Sequence, residues 1–148
     1  MKNISVLIDT NVIIDWFGKR EPFFEFAKQI MDYCFSKDII AYVAAHSFTN
    51  LFYILRKSHS LDERRELVKK LCAELTVVSI DEDKLLLAAA DDKIADFEDA
   101  LQIKCAVAKN ADYIVTRNIK DFANSVIPPI LPSDFLAVVE NERNEGLI

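Results

Sequence analysis

Glycine and histidine are both scarce in this chain, which has two of each among 148 residues. Phosphate-binding loops of the P-loop and dinucleotide-binding kinds need clustered glycines, so the isolated Gly18 and Gly146 exclude both. A serine nucleophile elbow is excluded for the same reason. His46 and His59 lack the spacing of a metal-binding pair and have no evident triad partners. The usual signatures of nucleotide binding and of serine-based hydrolysis are therefore missing.

Cysteine is also sparse, and the three residues lie far apart at Cys34, Cys72 and Cys105. Each belongs to an apolar periodic segment, which favours a small buried side chain over a metal ligand or a disulfide. The odd number indicates a reducing compartment. The N-terminal apolar run at 4–8 is too short for a secretory signal or a membrane span. We therefore expect a cytoplasmic protein that makes no membrane contact.

Positive charge is in the minority, with 18 Lys and Arg against 24 Asp and Glu, for a formal net charge of −6. An acidic protein gains little from non-specific attraction to nucleic acid. If this protein acts on RNA, the contact must be local, through a metal ion or a basic strip. The basic pairs are most simply solvated helix faces, and Arg56-Lys57 and Arg117 are the better candidates for phosphate contact.

The chain does have a hydrophobic content of 51%, which predicts one domain with its own core over residues 1–148. Short apolar runs predict strands at 4–8, 39–43, 76–80 and 113–116. Helical periodicity and capping residues predict helices at 10–17, 22–36, 45–57, 61–74, 81–90, 98–109 and 133–139. Clustered prolines at 128–132 predict a loop. This alternation predicts an α/β fold with a mostly parallel sheet and helices on both faces, in which ligands bind beyond the carboxyl ends of the strands.

Asp9 follows the buried run Val6-Leu7-Ile8 directly, which places a carboxylate at the functional edge of such a sheet. The simplest structural alternative is an N-cap, because Asp9 or Thr10 could cap the helix that follows. Capping accounts for one polar residue at this point and leaves the run Asp9-Thr10-Asn11 unexplained. We therefore favour a functional role.

Asp96, Glu98 and Asp99 form a second acidic group at the start of a predicted helix. Residues three apart share a helix face, so Asp96 and Asp99 can point the same way. The structural alternative is strong here, because an N-cap aspartate followed by acids in the first turn is a common way to begin a helix.

The run Thr116-Arg117-Asn118 follows the predicted strand at 113–116, and Asp121 comes shortly after. A turn with an Asn or Asp cap would explain this group alone. Capping can explain each of these groups alone. It does not explain why carboxylates occur at two strand ends and one helix start in the same chain. Oxygen ligands suit Mg²⁺ or Mn²⁺, which assist phosphodiester hydrolysis by activating water and stabilising phosphate charge.

Three segments together resemble the PIN-domain family, especially toxins of the VapC type. They are Val6-Leu7-Ile8-Asp9-Thr10-Asn11 at the N-terminus, Asp99-Ala100-Leu101-Gln102 in the middle, and Thr116-Arg117-Asn118 with Asp121-Phe122 towards the C-terminus. They occur in the family's order and span nearly the whole chain.

The resemblance implies a three-layer α/β/α sandwich that binds Mg²⁺ or Mn²⁺ and cleaves RNA. It implies catalytic carboxylates at Asp9, Asp99 and Asp121, with Asp96 as a further metal ligand. Substrate-positioning residues follow from the same segments and from the helix after the second strand: Asn11, Asn50, Thr116, Arg117 and Asn118. A homodimer is implied as well, and an antitoxin protein is a further possible partner.

Asn50 stands where the family usually carries a glutamate. An amide offers a carbonyl oxygen without charge, which predicts weaker cation binding. This leaves open a second interpretation, a PIN-like module that binds nucleic acid or a protein partner with little catalysis. A receiver domain is disfavoured because Ile8 precedes Asp9 and Arg117 stands where a lysine is needed. A haloacid-dehalogenase-type phosphatase is disfavoured because it needs a second aspartate at Asn11.

Overall fold

A five-stranded sheet forms the centre of the structure, a computed structural model that describes residues 3–146. Its strands are β1 (Ser5–Ile8), β2 (Ile40–Ala44), β3 (Thr76–Val78), β4 (Tyr113–Val115) and β5 (Pro129–Ile130). The order is β3-β2-β1-β4-β5, and every pairing is parallel. The central strand β1 is buried along its whole length, as expected for a parallel strand covered on both faces.

Helices cover both faces of the sheet. They are α1 (Thr10–Phe17), α2 (Phe24–Phe35), α3 (Ser47–Ile54), α4 (Leu61–Glu74), α5 (Glu82–Ala89), α6 (Phe97–Ala108) and α7 (Pro132–Asn144), with short 3₁₀ helices at Leu55–Lys57 and Ile119–Phe122. Side chains alternate along β1, so Val6 and Ile8 enter the core shared with α1, α2, α3, α4 and α7. Leu7 enters the opposite core with α5 and α6. The predicted three-layer α/β/α sandwich is confirmed.

Prediction and structure differ most at the C-terminal end. The proline-rich segment predicted as a loop contains β5, an edge strand that pairs with β4 through Pro129 and Ile130. Proline cannot donate to a ladder, but it is tolerated on an edge where one side of the strand needs no donor. The last helix continues to Asn144 rather than 139. The sequence does not reveal this extension, because residues 140–144 are all polar and carry no apolar period.

Smaller differences concern element ends and one cysteine. The predicted helix over 45–57 is α3, followed by a 3₁₀ turn, and the strand predicted to 80 ends at Val78. Cys34 and Cys105 are buried as predicted, whereas Cys72 is exposed on α4, so its burial was wrongly predicted. Within residues 3–146, no helix has the length and hydrophobicity needed to cross a membrane.

The pairing of β1 with β4 brings two distant segments to one edge of the sheet. Ile8 is opposite Val115 in the register, and the Asp9 amide donates to the Val115 carbonyl at 3.0 Å. Asp9 and Thr116 are therefore neighbours at the carboxyl ends of adjacent parallel strands, where ligands bind in this class of sheet.

Candidate active site

Asp9 is buried at the end of β1, with 4% of its surface exposed. It holds the N-cap position of α1, yet its side chain makes no capping hydrogen bond. Instead Oδ1 accepts from Gln102 Nε2 at 3.1 Å, and Oδ2 accepts from Thr116 Oγ1 at 2.7 Å. The capping explanation for this carboxylate is thereby excluded. Two side chains from distant segments hold it in one orientation.

Asp99 lies one helical turn before Gln102 on α6, and so reaches the same edge of the sheet. Its pKa is raised to about 7, mainly because partial burial disfavours the charged form. The negative charges of Asp96, Asp9 and Asp121 add to this effect, followed by that of Glu98. The charges of the other three carboxylates that the sequence nominated therefore all act on Asp99.

Asp96 itself caps α6, because its Oδ1 accepts from the Asp99 amide at 3.0 Å. The capping explanation is thus correct for Asp96, although its charge also acts on Asp99. Asp121 lies exposed in the 3₁₀ helix Ile119–Phe122 that follows β4.

Glu98, which the sequence grouped with Asp96 and Asp99 but gave no role in the site, contacts a residue that the sequence did not reveal. Its Oε2 accepts from Asn50 Nδ2 at 2.9 Å, so the amide of α3 meets a carboxylate of α6. His46 Nε2 lies 3.1 Å from the Glu98 carbonyl, and burial lowers the pKa of His46. The residue pairs are about fifty positions apart, so no local sequence signal reveals them. Asn50 therefore stands beside a negative charge that another element supplies.

Gln102 is a second residue that the sequence analysis missed. It is 4% exposed, and its Oε1 is buried without a hydrogen-bond partner among the described residues. A signal was available, because Gln102 follows Asp99 by three positions on a helix and must share its face. Its amide orients Asp9, which makes it a positioning residue.

The predicted positioning residues after β4 divide into two groups. Thr116 and Asn118 belong to the site, since Thr116 Oγ1 binds Asp9 and also accepts from the Asn118 amide at 2.9 Å. Arg117 turns towards α1, where its Nε and Nη2 donate to Asp15 at 2.6 and 3.2 Å. Asn11 is half-buried at the second position of α1.

The donor atoms of the site are carboxylate oxygens, which suit a hard divalent cation. Within residues 3–146, no three His, Cys, Asp or Glu side chains come close enough to share a metal ion. Mg²⁺ does not require three, because it commonly keeps several waters and binds through one or two carboxylates. Asp9 and Asp99 carry carboxylate oxygens, the donor type that a hard cation prefers, and the charge of Asp9 acts on Asp99.

An acidic site at the carboxyl edge of a parallel sheet, enclosed in an α/β/α sandwich, defines the class of protein. The family model described as the PIN domain matches residues 5–120. This match covers most of the chain, so the protein belongs to the PIN-domain family. No curated protein matches the chain.

Solved structures with the same fold include a toxin–antitoxin complex and a toxin. A toxin–antitoxin complex from Klebsiella pneumoniae matches with a TM-score of 0.64 and 21% identity over 86% of this chain and 97% of that one. The VapC20 toxin of Mycobacterium tuberculosis, which cleaves the sarcin–ricin loop, matches with a TM-score of 0.66 and 14% identity over 82% and 95%. VapBC2 from Rickettsia felis, bound to promoter DNA, matches with a TM-score of 0.64 and 16% identity over 86% and 98%. At these identities the likeness concerns the fold.

Proposed function

We propose that this protein is a metal-dependent endoribonuclease and the toxin of a toxin–antitoxin pair. The observation that carries the proposal is the buried Asp9 carboxylate, fixed by Thr116 and Gln102 within reach of the charge of Asp99. A fixed carboxylate among other carboxylates is costly to maintain unless a cation uses it. Membership of the PIN-domain family supports the same activity.

The chain's own residues have distinct parts in this proposal. Asp9 and Asp99 hold the cation, and Gln102 and Thr116 keep Asp9 in its orientation. Glu98 supplies a charge beside Asn50, which offsets the absence of a glutamate on α3. When bound, Mg²⁺ or Mn²⁺ stabilises charge on phosphate oxygens and makes water more acidic.

The partners in the proposal are an antitoxin and a second copy of the chain. The solved structures that share the fold include toxin–antitoxin complexes. An apolar groove on α3 and α4 offers a surface that a protein partner could cover. Phe48 and Phe52 line this groove, and Tyr53 beside them is 63% exposed. A small gene beside this one that encodes a DNA-binding protein would support the pairing, and light scattering measures the dimer.

A cleavage assay on single-stranded RNA tests the proposed activity. Wild-type protein is expected to cut in Mg²⁺ or Mn²⁺ and to stop cutting in excess EDTA. Asp99→Asn is expected to lower the rate at a fixed cation concentration by roughly 10-fold or more, because the cation loses a charged ligand. Glu140→Gln, an exposed charge on α7, is the matched control and is expected to cut at the wild-type rate.

Two results would contradict the nuclease. Cutting that survives EDTA would show that no cation is needed. RNA binding without any cutting, in wild type and in Asn50→Glu, would favour the binding module instead. Asn50→Glu places a second carboxylate against Glu98, and the two negative charges repel each other. This variant is therefore expected to cleave faster only when a cation is present to bind both.

Cation affinity is expected to rise with pH up to about 7. The proton that Asp99 holds must leave before the oxygen can ligate, so binding at about pH 6 releases close to one proton and binding at about pH 8 releases almost none. Titration calorimetry of Mn²⁺ in two buffers of different ionisation enthalpy measures this number. Asp99→Asn is expected to remove the pH dependence, and an unchanged dependence in that variant would contradict the assignment.

The same pKa predicts how the metal-free protein responds to pH. The folded pKa of Asp99 lies at about 7, above its ordinary value of 3.8, so the folded state holds this proton more tightly than the unfolded chain. The contribution of Asp99 to the free energy of unfolding is therefore full below 3.8 and is lost as pH rises to about 7. The melting temperature in EDTA, followed across this pH range for wild type and Asp99→Asn, measures that contribution.

A further inference from the structure

A cavity of about 230 Å³ opens beside the acidic site. Its lining includes three residues that follow the carboxyl ends of β1, β4 and β5. Val12 lies on α1, about one helical turn beyond Asp9. Arg117 follows Thr116 at the end of β4, and Leu131 follows the last residue of β5. The cavity therefore begins one residue beyond Thr116, whose side chain binds Asp9, and it lies on the carboxyl edge of the sheet that Asp9 occupies.

The walls of this cavity are aromatic and apolar. Phe23 and Phe26 enter it from the start of α2 and are 36% and 45% exposed. The Arg117 guanidinium lies 3.8 Å from the centre of the Phe23 ring, so a cation–π pair forms part of the wall. Exposure of such large apolar rings to water is unfavourable, and a ligand that covered them would remove this cost in free energy.

Charge indicates what kind of ligand fits. The Arg117 guanidinium is paired with the buried Asp15, so the interior of the cavity favours an uncharged group. Arg20 lies 3.7 Å from the same carboxylate and is half-exposed. Two guanidinium groups thus meet the one carboxylate of Asp15, and that of Arg20 is the more exposed of the two. A neutral planar ring attached to a phosphate backbone matches both features.

We propose that this cavity, hereafter the base pocket, binds one nucleobase of the RNA substrate next to the cleaved phosphodiester. This inference rests on the proposed function, because it takes RNA as the substrate. The base enters between Phe23 and Phe26, while its backbone lies across the carboxyl edge towards Asp9. Single-stranded RNA is the form that can enter, since only an unstacked base can leave its neighbours for such a pocket.

Binding measurements with two probes test the base pocket. The first is a fluorescein-labelled 12-nucleotide single-stranded RNA of random sequence, and the second is the same backbone without bases, both in EDTA. Phe26→Leu keeps apolar volume but removes the ring, and is expected to weaken binding of the first probe about 5-fold or more. Its affinity for the second probe is expected to stay at the wild-type level. Leu86→Ala, which shortens an exposed apolar side chain on α5, is the control and should change neither.

The outcomes separate the pocket from the nuclease. Equal affinity of wild type and Phe26→Leu for the base-bearing RNA, repeated with Phe23→Leu, overturns the base pocket even if wild-type protein cleaves RNA in Mn²⁺. Loss of affinity in Phe26→Leu without any cleavage by wild type would retain the base pocket and reject the nuclease. Equal weakening by Leu86→Ala also overturns it, because the effect would then follow any exposed apolar side chain. In a cleaving wild type, Phe26→Leu is expected to raise KM with kcat unchanged.

Discussion

Replacing Asp9 by Asn is expected to lower the rate of RNA cleavage by roughly 100-fold or more. The variant removes a negative charge from the position where the cation is proposed to bind, so the Lewis acid is held less often and less well. The assay compares wild type and Asp9→Asn in Mn²⁺, with EDTA as the blank. Cleavage by Asp9→Asn at the wild-type rate would reject the metal site.

The same substitution is expected to lower the free energy of unfolding by about 1–3 kcal/mol. Both Asp9 oxygens accept hydrogen bonds in a buried setting, from Gln102 and from Thr116. An asparagine places an amide nitrogen against one of these donors. Removal of a charge from an acidic edge would by itself be harmless, but the orientation of Asp9 makes this change costly. Chemical denaturation in EDTA measures the difference without any contribution from cation.

Replacing Arg117 by Ala is expected to destabilise the protein by about 3 kcal/mol or more, and to lower Tm by roughly 6–12 °C. Asp15 is 1% exposed on α1 and accepts two hydrogen bonds from this arginine. Without Arg117, a buried carboxylate would depend on Arg20, whose Nε stands 3.7 Å away. Through these two hydrogen bonds Arg117 links the end of β4 to helix α1, which is why a large loss of stability is expected.

Arg20→Ala provides the matched control for this prediction. It removes the other arginine near Asp15, but that side chain is half-exposed, so a loss of about 1 kcal/mol or less is expected. Arg117→Lys keeps the charge and loses the two-pronged geometry, which should give an intermediate value. A small effect of Arg117→Ala on Tm, together with a large effect on RNA affinity, would instead support the predicted phosphate contact.

The sheet could be predicted from sequence where burial is uniform. β1 and β4 appear as short apolar runs because both faces of each strand are covered. β5 could not be found in this way, since two residues that include Pro129 resemble a loop and become a strand only through pairing with Ile114 and Val115. The end of α7 was missed because polar residues in an exposed last turn have no period.

The candidate site was predictable in part for a related reason. Asp9, Thr116 and Asp99 stand at strand ends or a helix start, and these are positions that a sequence reveals. Glu98 was named in the acidic group, but its contact with Asn50 could not be predicted, because that contact depends on how α3 and α6 pack. The position of Arg117 was predicted, but its partner Asp15 was not, because one aspartate in an apolar helix does not indicate which arginine it meets.

The hydrogen bond between Thr116 and Asp9 also fixes when the site can form during protein synthesis. The two residues are 107 positions apart, and β1 is the central strand, so Asp9 has no Thr116 donor until β4 has left the ribosome. Gln102 emerges only a little earlier. The N-terminal two-thirds of a growing chain therefore carries Asp9 without the side chains that orient it. A cell that makes this protein therefore meets an oriented Asp9 only after residue 116 has emerged from the ribosome.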